Sequence, residues 1–377
     1  MASIHKRPDG RWRARYRDDA GREHARHFTR KVDATRWLDE VTTAVVTGAY
    51  VDPKAGRVTV GATAAAWLHA NPSWSETTRA RNHSVLMNHV LPRWGQVPLS
   101  RVTFDDVQAW VAGLSSSGMA GGTVRKVVGA LSSVLALAVK SRRLAANPAQ
   151  GVDLPKQALT GRRYLTVEQA ERLAEASGPH RDIPDVLSYC GLRIGELAAM
   201  KVRHVDLLRR RFRVEESVTE VNGRLVWSSP KDHQRRSVPF PAFLSQPLSV
   251  RIAGKGPDDL IFPSARGGVL RVRNMRRGWF DAAAAEAGVP GLTPHELRHT
   301  AASLAVSAGA SVLALQRMLG HDKPSTTLDV YSDLFDEDLD AVSDRLCAAR
   351  ERILADYLRT ETATELHASA QQASDLR

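Results

Sequence analysis

Cysteine is scarce in this 377-residue chain: Cys190 and Cys347 are its only two, too few and too far apart for a disulfide framework or a zinc ribbon. A reducing, cytoplasmic setting follows as the expectation. No apolar run approaches the roughly 18 residues that span a bilayer, and the opening MASIHKRPDGRW lacks the apolar centre of a secretory signal. No membrane partner is therefore expected. The chain has neither a G-x-x-x-x-G-K-[ST] phosphate loop nor a cluster of carboxylates suited to a two-metal nuclease. Acidic residues are also in deficit, with Asp plus Glu at 41 against Lys plus Arg at 53, a formal net charge of +12. That surplus favours a polyanionic partner, nucleic acid first, over acidic small-molecule chemistry. The 43% hydrophobic and 25% charged composition is that of ordinary globular domains, and the length calls for two or three of them.

The basic surplus begins early. Residues 11–17 read RWRARYR, an alternation that in a strand puts Arg11, Arg13, Arg15 and Arg17 on one face and Trp12, Ala14 and Tyr16 on the other. A turn at 18–21, a second strand over 22–28 and a helix capped by Asp33 would complete a small sheet-plus-helix module. Residues 1–36 hold eleven Lys or Arg against five Asp or Glu, enough to bind phosphates, although a solubilising edge hairpin has the same pattern. After a linker over 48–57, apolar periodicity predicts helices at 58–69, 75–90, 104–114 and 123–143, the last closed by Asn147-Pro148. Arg79, Arg125 and Lys126 are DNA-contact candidates there, against the ordinary reading of a solvated helix face.

A second linker, 155–161, leads to a capping box at Thr166-x-x-Gln169. Helices near 166–176, 183–190 and 194–200, strands at 212–218, 224–229 and 236–239, and further helices after Asn274 make this part mixed. The segment Thr293-Pro294-His295-Glu296-Leu297-Arg298-His299 contains H-E-x-x-H, which on a helix could hold zinc. Thr293, Pro294 and Glu296 equally form a helix-start capping box. A cationic Arg298 lies between the would-be ligands, and no third ligand follows closely. Read as His295-x-x-Arg298, the same segment sets an imidazole and a guanidinium on one helical face, suited to gripping a phosphate.

The surrounding motifs decide between these readings. Gly191-Leu192-Arg193-Ile194-Gly195-Glu196-Leu197 lies upstream, Lys231 falls in a predicted hairpin, and Leu319-Gly320-His321 precedes Tyr331. In order and spacing this resembles the tyrosine recombinases, the phage integrase family, over about residues 160–345. The basic front module and helical domain resemble, more loosely, integrases that bind arm-type as well as core-type DNA. The resemblance implies a mainly α, multidomain protein with small β-sheets: an arm-binding module (1–55), a helical core-binding domain (58–152), a mixed α+β catalytic domain (160–345), and a C-terminal helix and tail (346–377). It implies a site-specific recombinase that cleaves and rejoins strands through a 3′-phosphotyrosine, integrating or excising a phage or mobile element, without metal or nucleotide cofactor.

By the same resemblance, Arg193 and Arg298 neutralise the phosphate, whose non-bridging oxygens gain charge as the tyrosine attacks. Lys231 protonates the leaving 5′ oxygen, His321 donates to the phosphate, Tyr331 is the nucleophile and His295 the candidate base. Glu196 and His299 are expected to orient the arginine or the helix. The implied partners are double-stranded attachment sites, three further copies in a tetramer on DNA, and accessory factors such as a host DNA-bending protein and an excisionase. Beyond Tyr331, Phe335, Leu339, Val342, Leu346, Ala349 and Ile353 recur at helical spacing, a face buried either in its own subunit or against a neighbour. Two other activities fit parts of this pattern: a type IB topoisomerase, and a non-catalytic DNA-binding or architectural protein that retains the fold.

Overall fold

The computed structural model describes residues 2–18, 21–46, 55–157, 162–229, 235–334, 343–344, 346–355 and 357. The chain forms two compact units, residues 1–160 and 161–377. The first holds a three-stranded antiparallel sheet of β1 (Ser3–Lys6), β2 (Trp12–Arg17) and β3 (Glu23–Phe28), with β2 central. The period-2 pattern of β2 buries Ala14 and Tyr16 against Ala34 and Leu38 of helix α1 (Lys31–Val46) and leaves Arg13, Arg15 and Arg17 exposed. Two expectations shift here. Arg11 precedes the strand, and α1 starts two residues before Asp33, which sits in the first turn, where a carboxylate favours the helix dipole, and not at the cap. β1 was not anticipated; its four residues carry no alternation long enough to read.

The rest of this unit is helical: α2 (Val60–His69), α3 (Glu76–Val85), α4 (Leu91–Trp94), α5 (Phe104–Ser116) and α6 (Gly121–Lys140). Thr59, Ser75 and Thr103 cap α2, α3 and α5 by accepting from a backbone N–H three residues on. A π-helical turn, Leu86–Val90, joins α3 to α4, and Pro92 stands in the first turn of α4, where a missing N–H is tolerated. Helix α6 corrects the expectation that no segment is long and apolar enough to span a bilayer: by length and composition its 20 residues are. Val124, Val127, Val128, Leu131, Val134, Leu135 and Ala138 are buried on the core side of the helix, packed with Trp94, Leu86 and Leu99. Each of these Val and Leu side chains contributes about 1.5–3 kcal/mol by leaving water. The helix ends at Lys140, before Asn147-Pro148, with Arg142 in the left-handed region at φ 52°.

The second unit begins with α7 (Val167–Ala176), whose capping box Thr166/Gln169 is formed, followed by α8 (Asp182–Cys190) and α9 (Ile194–Ala198). The strand expected at 212–218 is two strands in different sheets, broken at Glu215-Glu216. β4 (Val205–Asp206), β5 (Arg211–Val214) and β8 (Arg236–Pro239) form one sheet, while β6 (Ser217–Val221) and β7 (Arg224–Ser228) form a hairpin. Asn222 and Gly223, at φ 49° and 78°, make its two-residue turn. Helices α10 (Ser245–Ile252), α11 (Val272–Met275), α12 (Asp281–Glu286), α13 (Pro294–Ser307), α14 (Val312–Leu319) and α15 (Pro324–Tyr331) follow. Helix α13 packs on α8, and its Ala302 and Val306 meet Leu315, Leu319 and Tyr331 in a small core of α13, α14 and α15. In the C-terminal helix Leu346, Ile353 and Tyr357 are exposed; Phe335, Leu339 and Val342 lie outside the described residues, as does the tail from 361.

Candidate active site

Two helix ends build the site. Helices α8 and α14 each stop at a glycine in the left-handed conformation, Gly191 (φ 64°) and Gly320 (φ 67°). Neither position has room for more: a Cβ on Gly191 would lie 2.8 Å from Leu319 Cδ2, and one on Gly320 2.7 Å from Arg236 Cδ. The chain therefore reverses tightly at both points, and the carbonyls of Gly191 and Leu319 accept from Nη1 and Nη2 of Arg298, each at 2.5 Å. Arg298, one turn into α13, is 2% exposed. Burial lowers its pKa to about 9, helped by the charge of Arg193, with Glu196 opposing. It remains cationic at neutral pH.

Arg193 stands at the N-cap of α9, its Nη2 3.4 Å from the carbonyl of Gly320, the residue after Leu319. Arg193 and Arg298 thus grip consecutive carbonyls of one loop. Glu196, 1% exposed, holds the other side: Oε1 accepts from Arg193 Nη1 at 2.9 Å and Oε2 from the Arg193 backbone N–H at 2.8 Å. Burial pushes this carboxyl up, but hydrogen bonds and charge from Arg236, with Arg193 adding, bring it below its ordinary value.

Arg236 was not singled out from sequence. Its guanidinium is bidentate on Glu196, at 2.8 and 2.6 Å, and its Nε donates to the carbonyl of Met318 at 3.2 Å. Three guanidinium groups around one carboxylate leave the pocket doubly positive. The one sequence signal for Arg236 was its place in the basic stretch that follows Lys231, and nothing local tied it to Glu196, 40 residues earlier.

Tyr331, at the end of α15, is 1% exposed. Its hydroxyl lies 2.9 Å from His299 Nδ1, and its ring is parallel to that of His321 with centroids 6.2 Å apart. Burial raises the phenol to about 12, against the pull of Arg298. His299, expected only to orient its surroundings, is therefore the imidazole on the phenol. His295 is exposed at the first turn of α13, with its ring edge-on to His299 at 4.9 Å. Burial and the charges of Arg298 and Arg193 lower its pKa. No hydrogen bond joins His295 to Tyr331 among the described residues. His321 Nδ1 is 2.9 Å from Thr327 Oγ1, which leaves Nε2 as the nitrogen for a phosphate oxygen, and burial lowers this imidazole to about 4. Lys231 falls within 230–234, outside the described residues.

The H-E-x-x-H segment has other work than binding zinc. Glu296 Oε2 accepts from Thr293 N at 2.7 Å and from Thr293 Oγ1 at 2.9 Å, completing the capping box of α13. The DNA-contact candidates of the first unit separate in a similar way. Arg11, Arg13, Arg15 and Arg17 are exposed, with Arg13 and Arg15 at 3.5 and 3.7 Å from Glu23. Arg79 turns inward, its guanidinium donating to the carbonyls of Leu68 and Asn71 at the end of α2. Arg125 donates to the carbonyl of Pro155 at 3.0 Å, and Lys126 is exposed.

A buried carboxylate fixing two arginines, a third arginine held by two helix ends, and a phenol against two imidazoles make a cationic pocket whose chemistry suits an anionic phosphate beside a hydroxyl nucleophile. Family models match most of the sequence: the phage integrase family over residues 163–338, the phage integrase N-terminal domain over 2–47 and the phage integrase central domain over 60–153. The chain belongs to the phage integrase family and is a tyrosine-type site-specific DNA recombinase. Among its relatives, the tyrosine recombinase XerC of Mycobacterium sp. (strain KMS) is 28% identical over 267 residues, covering 66% of this chain and 83% of that protein. The putative prophage phiRv2 integrase of Mycobacterium tuberculosis (strain H37Rv) is 26% identical over 339 residues, covering 85% and 88%. The fold is shared with the Tn1549 transposon integrase bound to transposon right-end DNA (TM-score 0.68, 21% identity, 77% of this chain and 100% of that one). It is also shared with a lambda integrase dimer bound to a COC′ core site (TM-score 0.58, 18% identity, 89% and 95%).

Proposed function

We propose that this recombinase cuts and reseals duplex attachment sites of a phage or mobile element through a 3′-phosphotyrosine on Tyr331. Arg193 and Arg298 receive the scissile phosphate, and their fixed forks meet the charge that grows on its non-bridging oxygens as the phenol attacks. His321 adds a donor through Nε2. Lys231 protonates the departing 5′ oxygen, the general-acid role that the likeness to the family assigns to it. Because the phosphotyrosine keeps a phosphodiester of similar energy, the 5′ hydroxyl of another strand reverses the step and closes the DNA.

The observation that carries this reading is the convergence of Arg193, Arg236 and Arg298 on three consecutive carbonyls of one loop, the first two also sharing one buried carboxylate, with the Tyr331 phenol within the field of Arg298. The exposed arginines of β2 would bind arm-type DNA phosphates, and residues 58–152 the core-type site. The phiRv2 relative is named a prophage integrase, and a lambda integrase has been solved as a tetramer on a Holliday junction; an assembly of four copies on two duplexes is proposed here by that likeness, as are accessory bending and excision factors. A duplex nicked near the crossover, cut from the repeats flanking the reading frame, tests the reading. Wild type should accumulate covalent protein–DNA and Tyr331→Phe none; specific binding with no adduct from wild type would leave a DNA-binding protein that has kept the fold.

A further inference from the structure

Tyr331 must lose a proton as it attacks, and among the described residues its hydroxyl is hydrogen-bonded to the imidazole of His299. We propose that His299, and not His295, is the base that accepts the Tyr331 proton. The inference rests on Tyr331 being the nucleophile and goes beyond it by naming the proton's destination.

The geometry makes the case. His299 Nδ1 lies 2.9 Å from Tyr331 Oη, already at proton-transfer distance. The two rings meet at 62° with centroids 5.6 Å apart, so the contact is through the ring nitrogen and not a stack. His295 occupies the preceding turn of the same helix, is exposed, and meets His299 edge-on at 4.9 Å.

Around His299 burial and three neighbouring groups outweigh Glu296, and around Tyr331 burial outweighs the neighbouring arginines. His299 is surrounded by His295, Glu296 and Arg298 on α13 and by Arg162 before α7, with His321 nearby after α14; Tyr331 also senses Tyr164 and Arg193. Burial first, then His295, Arg162 and Arg298, lower His299 to about 4, so the ring is neutral at pH 7 and able to accept. The phenol, at about 12, keeps its proton at rest. An incoming phosphodiester anion beside Arg298 offsets the cations that oppose an imidazolium, so His299 becomes more basic when substrate is bound, and no free phenoxide need accumulate because Oη bonds to phosphorus as its proton leaves. In the step itself the Oη–H bond breaks as N–H forms at Nδ1, with Nε2 already carrying the ring's other proton. Oη bonds to phosphorus, and the P–O5′ bond breaks with its electron pair going to the 5′ oxygen, which is protonated by the acid assigned to Lys231.

The test uses the full chain under single turnover, on a nicked duplex that wild type converts to covalent adduct and Tyr331→Phe does not. Adduct formation by wild type should vary little between pH 6 and 9, because His299 is neutral throughout. His299→Gln keeps a side chain that can hydrogen-bond the phenol but cannot take its proton. It should lose about 10²–10⁴-fold at pH 7, with a rate that rises roughly tenfold per pH unit towards the phenol's pKa. Placing sulfur at the bridging 5′ position, which removes the need for the acid, should not rescue His299→Gln, whereas added imidazole should restore part of the rate to His299→Ala. DNA affinity and thermal midpoint check that both variants are folded. A flat pH profile within threefold of wild type for His299→Gln, or the tenfold-per-unit slope appearing in His295→Ala instead, overturns the assignment. Failure of the Tyr331→Phe control would instead overturn the nucleophile.

Discussion

Replacing Glu196 by glutamine removes one charge and almost no volume, at the point where the pocket is most tightly held. The carboxylate accepts four hydrogen bonds, from Nη1 and the backbone N–H of Arg193 and from both Nη atoms of Arg236, and is 1% exposed. An amide can accept only on its oxygen and turns two donors towards a guanidinium. Arg193, Arg236 and the buried Arg298 are then left without their shared counter-charge. Stranding buried charge in this way costs about 3–5 kcal/mol, which in a unit of this size lowers the thermal midpoint by roughly 6–20 °C. The Glu196 pKa is depressed in the fold, so its contribution is complete above the unfolded carboxylate value of about 4.3 and is lost as pH falls through the folded value. Thermal melts of wild type and Glu196→Gln should accordingly differ fully at pH 7 and draw together below pH 4. Sulfate, an anion of the right charge for the vacated pocket, should narrow the gap at pH 7. A loss under 1 kcal/mol at pH 7, or a gap independent of pH, would refute the picture of a pocket held by this one carboxylate.

Gly320→Ala should reduce adduct formation at least tenfold, since it combines a left-handed backbone position with a Cβ 2.7 Å from Arg236 Cδ; single-turnover cleavage reads this directly. Arg79→Ala should lower the melting temperature of the first unit while leaving the salt dependence of DNA binding nearly unchanged, because its guanidinium is spent on the carbonyls of Leu68 and Asn71. Lys126→Ala should do the reverse, reducing the salt slope by about one. Asp185, buried on α8 with Oδ1 lacking a partner, is raised to about 6, chiefly by burial and then by Glu171. Raised above its unfolded value, it leaves the fold progressively less stable as pH climbs from about 4 to 6. Asp185→Asn should therefore gain on the order of 1–2 kcal/mol at pH 8 and little at pH 4, as followed by urea unfolding.

Local chemistry made several elements legible before any coordinates. The alternation of residues 12–17 is a strand because its buried side chains, Ala14 and Tyr16, are spaced by two. Thr166/Gln169 and Thr293/Glu296 are helix starts because each capping box closes within four residues. What depended on distant neighbours was read less well. Glu215-Glu216 breaks a run that looks like one strand, since β5 and β6 pair with different partners. Arg79 looked like a phosphate contact and is a helix cap; no local pattern distinguishes a guanidinium aimed at water from one folded back on carbonyls eight and eleven residues earlier.

The amino-acid sequence by itself determined the family and most of the candidate site residues: the motif glycines, arginines, histidines and tyrosine are short-range patterns, and their order marks the family. Tertiary structure alone decided their pairing. Arg236 reaches Glu196 across 40 residues, and Tyr331 meets His299 and not His295 because α13 and α15 pack at one particular rotation. The physical reason is that a hydrogen bond is settled within a few tenths of an ångström, by the packing of whole helices, whereas a motif records only which chemical groups are available to make it.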